Sequence, residues 1–402
     1  MRFRPLLALA VLLIAGCAST KVKPSPVAAG STDACCVPAC CTQMTWIPDC
    51  PPYEGPPPIP TPWPEHCGTT CPPPIPPPTP PGCGGNMGID CSTSIPPTPP
   101  PEVACPTTPT PCGLGPYQQG RLQFAVIGDW GNAVCAPPPS CSSRVASMIQ
   151  GWNAQWPLDF MLTLGDNFYP QGSDMDVETN MALYQWIDPQ QVGRFLPTLG
   201  NHDLYNNCGL PYYRYFGFLR QYSQHPEDDY SPRYYKYSLP GNLIDVFSLN
   251  ADATEPDGTG PTCNQGQWLQ KALEHSKAAW KIVIFHEPPY STYFPGTAPI
   301  MRWPFREWGA SIVLSGHIHA YERIVDSAGF TYIVNGLGGV QGLDKIRWEE
   351  CYPPMEGSKV RYTGTVGAMI GTATANEMHF CMMALTADDP NGVCIDNFSL
   401  TR

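Results

Sequence analysis

The sequence predicts a layered α/β fold, preceded by a segment rich in proline and cysteine that is either disordered or linked by disulfides. More than half of the 51 prolines of the 402-residue chain precede Tyr117, where they are interleaved with cysteine, threonine and glycine. Such a stretch has too little apolar surface to offset the entropy lost on ordering the chain. From Arg121 onward, short apolar runs alternate with amphipathic stretches, which is typical of strands packed against helices.

The elements of the predicted fold follow from these runs. Helical spacing of apolar residues predicts helices over 143–155 and 265–276. The apolar runs predict buried strands at Leu122–Ile127, 159–164, 243–249, 280–285 and 311–314. Three late runs around a turn sequence predict strands that finish a sheet, at 368–374, 378–385 and 393–400. In such a fold, ligand groups lie just past the carboxyl ends of strands.

The first residues have the features of a secretory signal. Arg2 and Arg4 precede an apolar run over 6–14 that is too short to span a bilayer as a stable helix. The run ends in a sequence that resembles the lipobox of bacterial lipoproteins, Leu13-Ile14-Ala15-Gly16-Cys17. We therefore expect residues 1–16 to be a lipoprotein signal peptide and Cys17 to carry the lipid. The alternative is an ordinary signal peptide cleaved nearby.

A lipid on Cys17 implies export to the bacterial cell envelope and anchoring at the outer membrane or the cell surface. Multiple acyl chains would hold the protein stably on a membrane, whereas one chain would not. We expect residues 17–118 to form a low-complexity spacer and residues 119–402 to form one folded domain.

Nineteen cysteines in an exported chain predict disulfides rather than zinc or redox chemistry. Beyond Cys17, eleven lie in the proline-rich segment and seven follow it. Because both numbers are odd, either one bridge joins the two regions or each region keeps a free thiol. Cys135 and Cys141 are spaced to close a small loop, and the other pairings do not follow from sequence. The paired cysteines at 35–36 and 40–41 leave metal binding as an alternative.

The chain is acidic, with a formal net charge of −12 at pH 7. We expect no nucleic-acid binding, because no basic stripe is present to neutralise phosphates. Acidity does not exclude a phosphate substrate, since bound cations can be the largest local charges in a site.

Five polar clusters follow predicted strands, each where an apolar run stops. They are Gly128-Asp129-Trp130-Gly131, Gly165-Asp166-Asn167-Phe168-Tyr169, Gly200-Asn201-His202-Asp203, Val283-Ile284-Phe285-His286 and Gly316-His317-Ile318-His319. Glycine before a ligand lets the backbone approach an ion without a Cβ clash, and Asp and His supply oxygen and nitrogen donors. Each cluster alone is also explained by a turn or a core histidine. Together, with four of the eight histidines, they predict a metal centre.

These clusters resemble the signature of the calcineurin-like metallophosphoesterases, and more narrowly that of the purple acid phosphatases, over about residues 123–400. Tyr169 is the tyrosine that separates the purple group from its relatives, and the motif Gly316-His317-Ile318-His319-Ala320-Tyr321-Glu322-Arg323 is an extended match. The resemblance implies a β-sandwich flanked by helices. It also implies a binuclear centre at which a metal-activated hydroxide hydrolyses phosphate monoesters, as in an acid phosphatase.

The resemblance assigns a role to each site residue. The first metal is held by Asp129, Asp166, Tyr169 and His319. The second is held by Asp166, Asn201, His286 and His317, so that Asp166 bridges the two. A phenolate and two carboxylates suit Fe(III), whereas an amide and two imidazoles suit Fe(II), Zn or Mn.

His202 is expected to act in proton transfer, because it follows a ligand directly and because the resemblance places it near the leaving group. Its imidazole would protonate the departing alkoxide or stabilise the charge on phosphorus. The alternative is that His202 only orients Asn201 or pairs with Asp203.

The expected partners are a phosphate ester substrate and, through the lipid anchor, a membrane. Two alternatives stay open: a phosphodiesterase or nucleotide hydrolase with the same site, and a non-catalytic surface-binding lipoprotein whose metal is structural. Glu287 follows His286 where relatives often place another residue type, so we expect a different substrate rim. Nine tyrosines over 205–237 predict a long ordered loop near the mouth, which either receives an aryl or nucleoside leaving group or simply packs.

Overall fold

The computed structural model describes residues 113–131, 140–293, 296–340, 352–386 and 389–402. The predicted signal peptide, the lipidation site Cys17 and most of the predicted spacer lie outside the described residues, as does Cys135. Within the described ranges, no helix combines the length and the apolar character needed to cross a bilayer.

Thirteen strands in the described residues form two sheets. The strands are β1 Leu122–Ile127, β2 Phe160–Thr163, β3 Phe195–Pro197, β4 Tyr235–Ser238, β5 Ile244–Ser248, β6 Trp280–Ile284, β7 Ile312–Ser315, β8 Tyr321–Val325, β9 Thr331–Asn335, β10 Ser358–Tyr362, β11 Gly367–Ala373, β12 Glu377–Ala384 and β13 Val393–Thr401. One sheet has the order β13-β12-β11-β1-β2-β3 and the other the order β10-β8-β9-β7-β6-β5-β4.

The two sheets pack into a sandwich around a shared apolar core. Phe124 and Ile370 of the first sheet belong to the same buried cluster as Ile282 and Leu314 of the second. Successive side chains of a strand point to opposite faces. Alternate residues such as Val283 therefore enter a second apolar cluster on the other face of the second sheet.

Helices cover the sandwich. The α-helices are α1 Cys141–Gln155, α2 Asp174–Met181, α3 Asn201–Leu204, α4 Leu210–Tyr215 and α5 Asn264–His275. Short 3-10 segments occur at Ala182–Ile187, Asn207–Gly209, Gly217–Tyr222, Pro240–Asn242 and Pro299–Met301. Val145, Ile149 and Trp152 of α1 enter the shared core, whereas Leu269 and Leu273 of α5 pack on the second cluster. This architecture confirms the predicted layered α/β sandwich.

The segment 205–237 is not the long loop that its composition predicted. It contains α4, two 3-10 segments and the start of β4, and its residues Tyr212, Tyr213 and Tyr235 are fully buried. Each tyrosine ring buries a large apolar area, so a segment this rich in tyrosine is stabilised by packing into the core. Only Tyr205, at its beginning, is among the large apolar side chains that stay exposed.

The cysteines of the described residues do not establish the disulfide pattern. Cys381 and Cys394, on the paired strands β12 and β13, bring their sulfur atoms 3.1 Å apart. Cys351 lies outside the described residues together with Cys135 and the spacer cysteines. Disulfide formation therefore stays a prediction.

Parallel pairing determines where the polar clusters meet. β1, β2 and β3 run parallel in the first sheet, and β5, β6, β7 and β9 run parallel in the second. The carboxyl ends of parallel strands lie at one edge of each sheet, and loops that leave those ends share that edge.

Candidate metal centre

The eight predicted site residues come together at this edge. Asp129 follows β1, Asp166 and Tyr169 follow β2, and Asn201 and His202 open α3 after β3. From the second sheet, His286 follows β6, and His317 and His319 follow β7. Their side chains form two donor sets that meet at Asp166.

The first donor set surrounds the hydroxyl of Tyr169. This oxygen is 2.7 Å from Asp166 Oδ2, 3.3 Å from Asp129 Oδ1 and 3.3 Å from His319 Nε2. His319 Nε2 is in turn 3.4 Å from Asp129 Oδ1. A phenol, two carboxylates and an imidazole thus converge on one point.

The second donor set begins at the other oxygen of the same carboxylate. Asp166 Oδ1 is 3.2 Å from His286 Nε2, which is 3.2 Å from His317 Nδ1. His317 Nδ1 is 3.0 Å from Asn201 Oδ1. Asp166 therefore presents one oxygen to each set.

The spacing within each set fits a bound ion. Ligands at about 2.0–2.2 Å from one ion stand about 3.0–3.5 Å apart, and most donor separations in both sets fall in that range. Asp129, Asp166 and His286 also satisfy the proximity expected of ligands as a group. The donor chemistry also fits metal ions, since two carboxylates, a phenol, an amide oxygen and three imidazoles converge on the two sets.

Hydrogen bonds to the backbone orient several of these donors. His286 Nδ1 lies 2.7 Å from the carbonyl oxygen of Leu164, so Nδ1 carries the proton and Nε2 is left to face the donor set. This is the usual arrangement of a metal-binding histidine. The backbone N–H of His317 donates to Asp129 Oδ2, and that of His202 donates to Asp166 Oδ1.

Left-handed backbone brings the donors together. Asp129, Asp166 and His317 have φ values of 54°, 50° and 68°, a region that non-glycine residues adopt mainly at functional sites and turns. Each follows a glycine. A Cβ on Gly165, whose own φ is 87°, would lie 2.5 Å from His286 Nδ1, so glycine is required for this close approach.

Burial and neighbouring charges shift the pKa values of two side chains of the centre, Tyr169 and His317. Burial, followed by the carboxylates of Asp166 and Asp129, raises the pKa of Tyr169 well above its ordinary value. Only a strongly charged ion would hold this phenol as a phenolate. Burial and then the charge of His286 lower the pKa of His317 to about 4.

His202 lies beside the donor sets and points toward them. Its Nδ1 is 2.7 Å from the carbonyl oxygen of Pro170, and its Nε2 is 4.0 Å from Asp166 Oδ2. Its ring contacts those of Tyr169 and Tyr205, with centroids 4.3 and 4.8 Å away.

Asp203 is not the partner of His202. It is fully buried, and its carboxylate accepts hydrogen bonds from the backbone N–H groups of Asn167, Phe168 and Gly200. Asp203 thereby fastens the loop after β2 to the loop after β3. The alternative in which His202 pairs with Asp203 is therefore wrong.

Two residues beside the centre were not predicted from the sequence to belong to it. The Tyr205 hydroxyl accepts a hydrogen bond of 2.8 Å from Asn201 Nδ2. The spacing of four residues places Asn201 and Tyr205 on one face of a helix, and this spacing is the sequence signal that could have predicted their contact. Glu287, expected only at the substrate rim, lies beside His286 and His317 in the second set. Burial, opposed by the charge of His286, raises the pKa of Glu287 to about 7.

Comparison with known proteins places this geometry in a family. The family model for calcineurin-like phosphoesterases matches residues 122–321, which contain all eight site residues. The chain belongs to the calcineurin-like phosphoesterase family. The match to this family and the similarity to acid phosphatases show that the chain is a metal-dependent hydrolase of phosphoric esters. The alternative of a non-catalytic binding protein is therefore set aside.

Curated relatives of the chain include acid phosphatases. It is 25% identical over 249 residues to tartrate-resistant acid phosphatase type 5 of Homo sapiens, covering 56% of this chain and 75% of that protein. It is also 25% identical over 248 residues to purple acid phosphatase 17 of Arabidopsis thaliana, covering 54% and 69%.

Among solved structures, the chain is similar to GAP50, the anchor in the inner membrane complex of Plasmodium. The TM-score is 0.50 at 15% identity, and the match covers 70% of this chain and 89% of that one. At this identity the similarity shows the fold alone.

Proposed function

We propose that this enzyme hydrolyses phosphate monoesters at a binuclear metal centre, in the manner of an acid phosphatase. The observation that carries the proposal is the pair of donor sets that share Asp166, with the Tyr169 hydroxyl in one of them. The similarity to tartrate-resistant acid phosphatase and to purple acid phosphatase 17 supports the choice of substrate class.

The chemistry of each donor set favours a particular ion. Two carboxylates and a phenolate, with His319, would hold Fe(III) at the Tyr169 position, because they are hard anionic donors. Asn201, His286 and His317 add only neutral donors to the shared carboxylate, which suits Fe(II), Zn or Mn. The bound pair would supply a hydroxide nucleophile near neutral pH and would neutralise charge on the phosphoryl oxygens.

His202 would supply the proton for the leaving group. Because Pro170 O accepts the hydrogen bond from Nδ1, the atom that can give up a proton toward the centre is Nε2, which faces Asp166. The rings of Tyr169 and Tyr205 pack against the imidazole. This geometry supports a role in proton transfer beyond orienting Asn201.

The test compares an aryl phosphate monoester with the corresponding diester, at acid and neutral pH, on protein whose metals have been counted by elemental analysis. We expect a higher kcat/KM for the monoester and two metals per chain. A higher kcat/KM for the diester would instead support the phosphodiesterase or nucleotide hydrolase alternative. Protein that binds a single ion and hydrolyses neither ester would contradict the binuclear centre.

A further inference from the structure

We propose that Glu287 is an additional protein ligand of the second metal, and that it shifts the preference of this position from zinc toward harder ions such as manganese. The inference rests on the binuclear centre proposed above. It concerns a residue outside the seven ligands that the sequence predicted.

The position of Glu287 supports ligation. A carboxylate oxygen of Glu287 and one ring nitrogen each of His286 and His317 all lie within 4.8 Å of one another. Opposite ligands of one ion, with bonds of about 2.2 Å, stand about 4.4 Å apart. The separation of the three donor atoms is therefore compatible with their binding one ion.

The surroundings of the Glu287 carboxylate favour a bound cation. Among the described residues, no lysine or arginine forms an ion pair with its carboxylate. A half-buried carboxylate in such a position is costly unless a positive charge compensates it.

Other enclosed carboxylates of this chain are compensated by the protein itself. Glu322 accepts hydrogen bonds from Ser291, Thr292 and Ser358. Glu255 is paired with Arg233. Glu287 differs because two imidazoles of the second donor set lie near its carboxylate.

The added carboxylate changes which ion fits best. Imidazole ligands suit zinc, whereas carboxylate oxygens suit manganese and magnesium. With Asp166 and Glu287 together, the second position offers two anionic oxygens beside two imidazoles and an amide. Removing Glu287 should therefore weaken manganese binding more than zinc binding.

The experiment measures metal affinity without using activity as the readout. Metal-stripped wild type and Glu287→Gln are titrated with Mn²⁺ and with Zn²⁺ in competition with a chelator of known affinity. We expect Mn²⁺ affinity at the second position to fall by at least about 10–100-fold, the range found for residues that only orient the ligands of metal sites, and Zn²⁺ affinity to fall less. Glu274→Gln makes the same chemical change on exposed α5 and should match wild type. Unchanged affinity for both ions in Glu287→Gln would overturn the proposal.

A second measurement does not depend on the variant folding. In a crystal structure of the Mn²⁺-loaded wild type, a Glu287 oxygen should lie about 2.0–2.3 Å from the second ion. A Glu287 carboxylate that lies too far from the ion to coordinate it would refute ligation. If the wild type binds two ions and hydrolyses phosphate esters but either result is negative, only the role of Glu287 fails. If the wild type does not bind two ions, the proposed function itself fails.

Discussion

Asp166 contributes one oxygen to each donor set, so both proposed ions depend on a single side chain. In Asp166→Asn the bridge loses its negative charge while keeping its shape. We expect hydrolysis to fall to background and bound metal to be lost, as measured by assay and elemental analysis. Asp174→Asn, on the first turn of α2 outside both sets, is the matched control and should behave as wild type. Full activity with both metals retained in Asp166→Asn would contradict the ligand assignment.

Tyr169 decides between a purple acid phosphatase and another type of metallophosphoesterase. A phenolate bound to ferric iron gives a charge-transfer band in the visible, and burial among carboxylates means that the phenol ionises only if such an ion holds it. Tyr169→Phe keeps the ring and deletes the donor oxygen. We expect the colour to vanish while some hydrolysis persists through Asp129, Asp166 and His319.

The spectrum is recorded on protein purified with iron available, before and after the Tyr169 substitution. A colourless, fully active wild type without iron would show that the purple assignment is wrong. The phosphoesterase assignment would stand in that case.

Tyr205 holds the amide of Asn201 through its hydroxyl. In Tyr205→Phe the ring beside His202 is kept and the hydrogen-bond acceptor is lost. We expect affinity for the second metal to fall by about 10-fold, because the amide is less firmly positioned. Tyr117→Phe, at an exposed position, is the control. Equal metal affinity in Tyr205→Phe and wild type would mean that the hydroxyl does not position Asn201.

At the scale of elements, a buried arginine fastens the tyrosine-rich segment 205–237 to the loop after β5. Arg233 contacts Glu255 at 3.0 Å, Asp257 at 2.8 Å and Asp228 at 2.6 Å. Its side chain is only 7% exposed, and Glu255 and Asp257 are buried as well. The segment that begins beside the metal centre is therefore held at its far end by a charge cluster.

Arg233→Met would leave Glu255 and Asp257 buried without their cation. We expect the free energy of unfolding to fall by about 3–5 kcal/mol, the usual effect of breaking a buried ion pair. Urea unfolding measures this. Arg220→Met removes a pair with the exposed Asp229 at 3.7 Å and should cost less than about 1 kcal/mol. Equal effects of the two substitutions would mean that the Arg233 cluster does not stabilise the segment.

At the scale of the whole molecule, the catalytic domain and the proline-rich spacer are expected to be separable. The packing of the described residues already includes Leu114, which is buried, and Gly115, whose backbone exchanges two hydrogen bonds with the side chain of Gln123. A protein that begins at Gly113 keeps these contacts. We expect it to fold and to hydrolyse small substrates like the full chain. A folded but inactive product would show that the spacer contributes to the site.

Membrane anchoring through Cys17 stays a prediction. Cys17→Ala should release the full-length protein from the membrane fraction, because the acyl chains that would hold it have no attachment point. Fractionation followed by immunoblotting tests this. Retention of Cys17→Ala in the membrane fraction would mean that another feature holds the protein there.

Much of the fold and the list of centre residues followed from the sequence, because both depend on local patterns. β1 was predicted with the bounds it has, and α1 and α5 were predicted to within two residues at each end. A glycine before an acidic or histidine residue at a strand end is a short-range signal, and it marks Asp129, Asp166 and His317 in sequence and in structure alike.

The tertiary structure determines the orientation of those residues and the groups that they contact. The carbonyl oxygen of Leu164 orients His286 across 122 positions of the chain, and no local pattern specifies such a contact. Strand order, side-chain direction and the packing of tyrosines depend on which distant surfaces exclude water together. For that reason the folding of 205–237 into helical turns, the contact of Tyr205 with Asn201 and the position of Glu287 beside two imidazoles emerged only in three dimensions.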